Sequence, residues 1–190
     1  MRPTASREWH LAELIAKGKS IDIAVLHTGI KSPSHVYIRL PNNYDWKNPI
    51  KPKKDEIVFS WGFQEGKFRA ASGLVTGTNN PINGGYGFTL SFYALAGASG
   101  SPVVDENGIL IGIIWGGQPV SNDPDQITQY ALNSTAIIGF LVANSVPAGT
   151  SNINNSPYKF TGGRNFAWEW LKHMTIVGVS MTVEVSCRTN

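Results

Sequence analysis

The chain has 190 residues, 42% of them hydrophobic and 15% charged, with 20 Gly and 11 Pro. That is room for one domain of common size with a packed core, and too little charge for a disordered or coiled-coil protein. A net charge of +3 without any Lys/Arg run beyond Lys51, Lys53 and Lys54 gives nucleic-acid binding no support, and the single cysteine, Cys187, excludes an internal disulfide and a Cys-x-x-Cys metal cage.

The first thirty residues hold no apolar stretch of signal-peptide length, and nowhere do about 18 apolar residues run together as a membrane span requires. Trp9, Leu11, Leu14 and Ile15, with polar residues between them, predict a short helix over 5–17 that Gly18 could close. From Ser20, the apolar residues Ile21, Ile23 and Val25 alternate with Asp22 and Ala24 as in a strand, and Thr28 to Pro33 supply a loop. Residues 41–55, with Pro41, Asn42, Asn43, Pro49 and Pro52, form a connection and a subdomain boundary.

Strands at short spacing follow, over 57–62, 67–76, 86–93, 101–104, 109–115 and 129–136. Gly- and Asn-rich turns separate them, among them Asn83, Gly84, Gly85 and Glu106, Asn107, Gly108, so a barrel or sandwich is expected. Residues 136–144 suit a helix or a further strand. Residues 145–165, rich in Asn, Ser and Gly, look like a linker, and 166–190 form a tail with no evident partner.

The stretch most informative about chemistry is Gly97, Ala98, Ser99, Gly100, Ser101, Pro102. A nucleophilic serine needs a tight turn whose amides converge on one spot, because a tetrahedral oxyanion requires preorganised donors, and flanking glycines permit that turn. The same composition would also suit an ordinary β-turn. The stretch, with the strand–turn–strand after it, resembles the nucleophile segment of the chymotrypsin-like serine peptidases. The resemblance implies Ser99 as nucleophile, with the N–H groups of Gly97 and Ser99 as the oxyanion hole. Ile21 to Leu26 resembles the strand that presents the triad aspartate, which makes Asp22 the carboxylate that orients a histidine. Ile114, Trp115, Gly116 and Gly117 resemble the edge that pairs with an extended substrate, so Trp115 and Gly116 become substrate-binding residues, although Trp115 also suits a core. Val58 to Gly66 resembles the opening of the second barrel, with Gln64 where a proline is commoner.

The combination over about residues 20–143 looks more narrowly like the trypsin-like peptidase domain of mycoplasmal surface lipoproteins, the group that includes immunoglobulin-cleaving proteases. It implies a mostly β fold: the second barrel of a chymotrypsin-like double barrel plus the last strand of the first, with a little helix at the termini. The peptidase region is then 20–144, behind a remnant at 1–19. No metal or cofactor is implied. The partner would be a polypeptide substrate or ligand, immunoglobulin included, and relatives of this kind sit at the cell surface.

The family's triad runs His, Asp, Ser, and only His10 precedes Asp22, in a helix-like context unlike the family's strand end. His27 shares a strand with Asp22 and, by the period of two, projects to the opposite face. His35 and His173 lie outside the segments that carry the likeness. The chain is thus expected to be a truncated or degenerate peptidase homologue that keeps Asp22 and Ser99 but lacks the histidine, inactive alone. It would act as a polypeptide-binding module, or be completed by a separate first barrel. By the same resemblance, Phe92, Tyr93 and Leu95, ahead of the serine, imply an apolar or occluded specificity pocket and not an acidic one.

Overall fold

The computed structural model describes residues 2–3, 11–27, 51–82, 85–120, 123–146 and 183–184. Three short strands come first: β1 (Arg2–Pro3), β2 (Glu13–Lys17) and β3 (Ala24–His27). A closed barrel follows, made of β4 (Ile57–Gln64), β5 (Lys67–Ile82), β6 (Gly85–Leu90), β7 (Pro102–Val104), β8 (Leu110–Val120) and β9 (Asp123–Asn133). After it come α1 (Ser134–Ala143) and β10 (Val183–Glu184), which pairs with β1. The described residues are mostly β, as expected, with one closed six-stranded barrel and one short helix.

The barrel order is β4-β5-β6-β9-β8-β7, every pair is antiparallel, and closure comes from Phe59 opposite Val104 and Ser60 opposite Val103. Side chains alternate across each strand, and here both faces are buried. The neighbours Val58 and Phe59, Val103 and Val104, and Ala131 and Leu132 fall into two separate cores. One core, with Val58, Val75, Phe88, Val103 and Ile111, fills the barrel. The other, with Phe59, Trp61, Val104 and Leu132, lies on its outer face, where Ile137 and Phe140 of α1 and Ile23 cover it.

The turns follow local chemistry. Glu65 (φ 50°) and Gly66 (φ 73°) form the two-residue β4–β5 hairpin loop, whose paired positive φ values match the twist of its strands. Asp105 accepts from the amides of Asn107 (2.9 Å) and Ile109 (2.8 Å), with Gly108 at φ 73°, and so builds the β7–β8 turn. The ambiguous run after residue 133 is helix because Asn133 caps it, its side chain accepting from the Thr135 amide at 3.0 Å.

Two expectations near the N-terminus are corrected. Residues 13–17 form a strand, not the end of a helix, pairing with β3 from Glu13 opposite His27 to Lys17 opposite Ala24. Leu11, Leu14 and Ile15 remain 97%, 55% and 48% exposed, so an amphipathic helix would have no core to lie on, and the backbone bonds are made with β3. The strand expected from Ser20 begins only at Ala24, since the Gly18 amide donates to the Ile23 carbonyl (2.8 Å) and bends the chain over 19–22. Residues 41–50 of the connection at 41–55, residues 147–165 of the linker at 145–165 and most of the tail at 166–190 lie outside the described residues.

Candidate active site

Two successive β-turns, over 95–98 and 98–101, lead into and around Ser99, which sits in the second. The Ala98 amide donates to Leu95 (3.0 Å) and the Ser101 amide to Ala98 (2.9 Å), each closing a four-residue turn. The third residue of each is a glycine with positive φ, Gly97 at 91° and Gly100 at 85°, as type II geometry demands. The Gly100 amide donates to Ile114 (2.8 Å), and the Ser101 carbonyl accepts from Ile114 (2.8 Å), fixing the turns to β8. Three amides of this stretch, Ala98, Gly100 and Ser101, are therefore spent on the frame. Those of Gly97 and Ser99 donate to nothing among the described residues.

The other side of the turns is docked on the β4–β5 hairpin. Gln64, 6% exposed, accepts from the Leu95 amide at 3.0 Å through Oε1, and the Glu65 amide donates to Ala96 at 2.8 Å. A Cβ on Gly97 would stand 2.9 Å from the Phe63 carbonyl oxygen, so glycine is required there for approach as well as for φ. Gly62 makes room for Ser101, whose side chain a Cβ would strike.

A cleft of about 460 Å³ opens on exposed Ser99. Asp22, Ile23, Ala24 and Val25 form one wall; Ile113, Ile114 and Trp115, with Ile137, Phe140 and Leu141 of α1, line the rest. The fold thus brings Asp22 and Ser99 to one cavity. Asp22 is itself exposed, carried at the bend before β3, and its neighbour Ile23 is anchored in the outer core. His27 ends β3, exposed and outside the cleft lining. The period-of-two comparison with Asp22 does not apply, because Asp22 precedes the strand. His10, His35 and His173 lie outside the described residues.

Trp115 occupies a β-bulge: Ile114 opposes Ala131 and Gly116 opposes Tyr130, which leaves Trp115 as the extra residue. It is half-buried, meets Tyr130 edge to face (6.5 Å, 86°), packs on the outer core and also lines the cleft, so it plays both parts that its sequence context allows. Among the described residues, β8 from Gly116 to Pro119 pairs only with β9, because β7 ends its register at Ile113, and the other edge of β8 runs on unpaired from the serine turn.

A second, smaller cavity of about 180 Å³ adjoins Ser99, between the segment from Tyr93 to Ala96 and the Gly116–Gly117 stretch, with Ile127 and Gln129 also lining it. Tyr93 and Leu95 line it, and Phe92 packs on the barrel core instead. Gln129 is a residue that sequence reasoning missed, since a lone glutamine in a strand carries no signal before the fold buries it. Among the described residues no group of His, Cys, Asp and Glu could hold a metal ion, and no helix is long and apolar enough to cross a membrane.

The chain belongs to the trypsin-like peptidase domain family, which matches residues 2–113. The match takes in residues before 20, where the sequence likeness had been drawn to start. No curated protein matches the chain in sequence. Among solved structures, the active form of the Rv3671c protease from M. tuberculosis is 21% identical with a TM-score of 0.56, over 74% of this chain and 62% of that one. The HtrA-type protease AlgW with a tripeptide is 19% identical with a TM-score of 0.56, over 71% of this chain and 43% of that one. The serine endoprotease from Yersinia pestis is 20% identical with a TM-score of 0.53, over 71% and 44%. This chain therefore spans less than half the length of the last two.

Proposed function

We propose that the chain is a serine-peptidase homologue in which Ser99 is the nucleophile, Asp22 the carboxylate of the triad, and the amides of Gly97 and Ser99 the oxyanion hole. The observation that carries this is the meeting of Asp22 and Ser99 in one cleft, beside turns in which the amides of Gly97 and Ser99 have no acceptor among the described residues. In such a site the serine oxygen adds to a peptide carbonyl carbon and its proton passes to an imidazole oriented by the carboxylate. The two amides hold the charge that develops on the carbonyl oxygen.

Among the described residues no imidazole lines the cleft. That the chain alone hydrolyses peptides feebly or not at all rests on the sequence, where His10, the one histidine ahead of Asp22, lacks the context of the family's base, and a serine hydroxyl without a base is a weak nucleophile. A fluorophosphonate probe tests this reading: labelling of Ser99 should be slow, and rapid labelling would overturn it. Co-expression with a histidine-bearing first barrel should then raise peptidase activity. The likeness to the mycoplasmal surface lipoproteins belongs to the same proposal, on the joint presence of the 97–101 turn and the Ile-Ile-Trp-Gly-Gly run at 113–117.

The open edge of β8 favours a second reading, capture of an extended polypeptide such as an immunoglobulin segment without cleavage. Binding in a pull-down that is lost with Trp115→Ala and kept with Ser99→Ala would support it; no retention of immunoglobulin would remove that ligand.

A further inference from the structure

Asp22 stands in the loop that joins β2 to β3. Lys17 opposite Ala24 is the last pair of the ribbon, so residues 18–23 form the loop, and the Gly18 amide closes it by donating to the Ile23 carbonyl at 2.8 Å. Inside this frame the Ile23 amide donates to the Ile21 carbonyl at 2.9 Å, a three-residue turn with Asp22 at its centre. Ile21 and Ile23 both pack on the outer core, Ile23 at 9% exposure, while Asp22 between them is exposed and lines the cleft. Asp22 lies outside both strands, so the pleat of β3 does not set its direction. Two apolar anchors and a tight turn set it instead.

Position 18 decides whether that turn can form. A Cβ there would fall on the Ile21 carbonyl oxygen and stand 2.7 Å from Ile21 Cγ2. The oxygen is the one that accepts from Ile23, and a backbone atom cannot swing aside as the end of a side chain could. A larger residue must therefore push the Ile21 carbonyl away from the Ile23 amide. The Asp22 N–H turns with it, because the two belong to one planar peptide group.

We propose that Gly18 is a positioning residue for the cleft: carrying no side chain, it lets the 21–23 turn close, and the closed turn holds Asp22 on the wall that faces Ser99. The inference rests on the roles proposed above for Asp22 and Ser99 and adds what places the carboxylate. Gly18 acts through Asp22 and touches no reacting atom.

The test bridges pairs of cysteines with a short bis-maleimide in the full chain, with Cys187→Ser removing the native thiol. Asp22→Cys with Ser99→Cys reports the loop, and Ala24→Cys with Ser99→Cys reports β3, since all three positions line the cleft. Adding Gly18→Ala should lower the first bridging yield about fivefold or more and leave the second unchanged. Replacing Ile23 by its α-hydroxy acid deletes the N–H without adding bulk and should give the same selective loss; it decides the matter if Gly18→Ala does not fold. Two unchanged yields would overturn the inference. So would two equal losses, which would mean that Gly18 holds the ribbon as a whole. Either result leaves the reading of the cleft standing, whereas no bridge between positions 22 and 99 in the parent would overturn both.

Discussion

The side chain of Gln64 receives the backbone N–H of Leu95 at 3.0 Å, and through this bond the barrel holds the loop that carries Ser99. The bond is largely shielded from water, and the sequence has a glutamine here where similar peptidases more often have proline. Gln64→Ala should cost about 1–3 kcal/mol, the usual range when a buried backbone donor loses its partner. Urea denaturation measures the loss, and amide exchange at Leu95 should rise with it. An unchanged midpoint would mean that the loop is held by other contacts.

Gly97→Ala should destabilise more than Gly100→Ala. Both sites have positive φ, which costs a residue with a side chain about 1–2 kcal/mol. Only at Gly97 would the new methyl also press on the Phe63 carbonyl, whereas at Gly100 it meets nothing within 4 Å. Thermal melts of the two variants give the order directly.

Gly62→Ala should be strongly destabilising alone and partly rescued by Ser101→Gly, because the clash is with the Ser101 side chain. A double-mutant cycle should give a favourable coupling of about 0.5–3 kcal/mol, the range for residues in direct contact. Strict additivity would show that the two positions do not oppose each other.

Phe140→Ala should cost about 3–5 kcal/mol as a buried aromatic truncation, and its effect should reach the Asp22 segment. Phe140 and Ile23 belong to the same outer core. Hydrogen exchange should therefore quicken over 23–27 by more than it does over β6, whose buried apolar residues Phe88 and Leu90 pack in the other core.

Asn133→Ala should lose about 0.5–2 kcal/mol, the common cost of an N-cap. The measurement is the same urea midpoint, and Asn133→Ser should restore most of it.

Much of the barrel is legible in the sequence because its strands alternate apolar residues between turn formers whose geometry is local. Asn107 and Gly108 mark a turn without help from the rest of the chain, and so do Glu65 and Gly66. The serine turn is legible for the same reason, since two glycines at fixed spacing answer two positive φ values. Leu11, Leu14 and Ile15 mislead because their spacing fits a helix, while the decision depends on whether a core lies within reach. Gln129 and Gln64 are silent in sequence. Their value comes from backbone amides at Ala94 and Leu95, brought beside them by the barrel's closure.

The turns around Ser99 are built from the barrel segment between β4 and β9, whereas Asp22 arrives on the separate β2–β3 ribbon, which packs on the barrel's outer core through Ile23 with Ala16, Ile21 and Val25. Under the proposed roles, damage to the ribbon would remove the carboxylate while the turns around Ser99 keep their shape. A protein so built would lose cleavage before it lost its hold on a polypeptide, by small, individually tolerable steps.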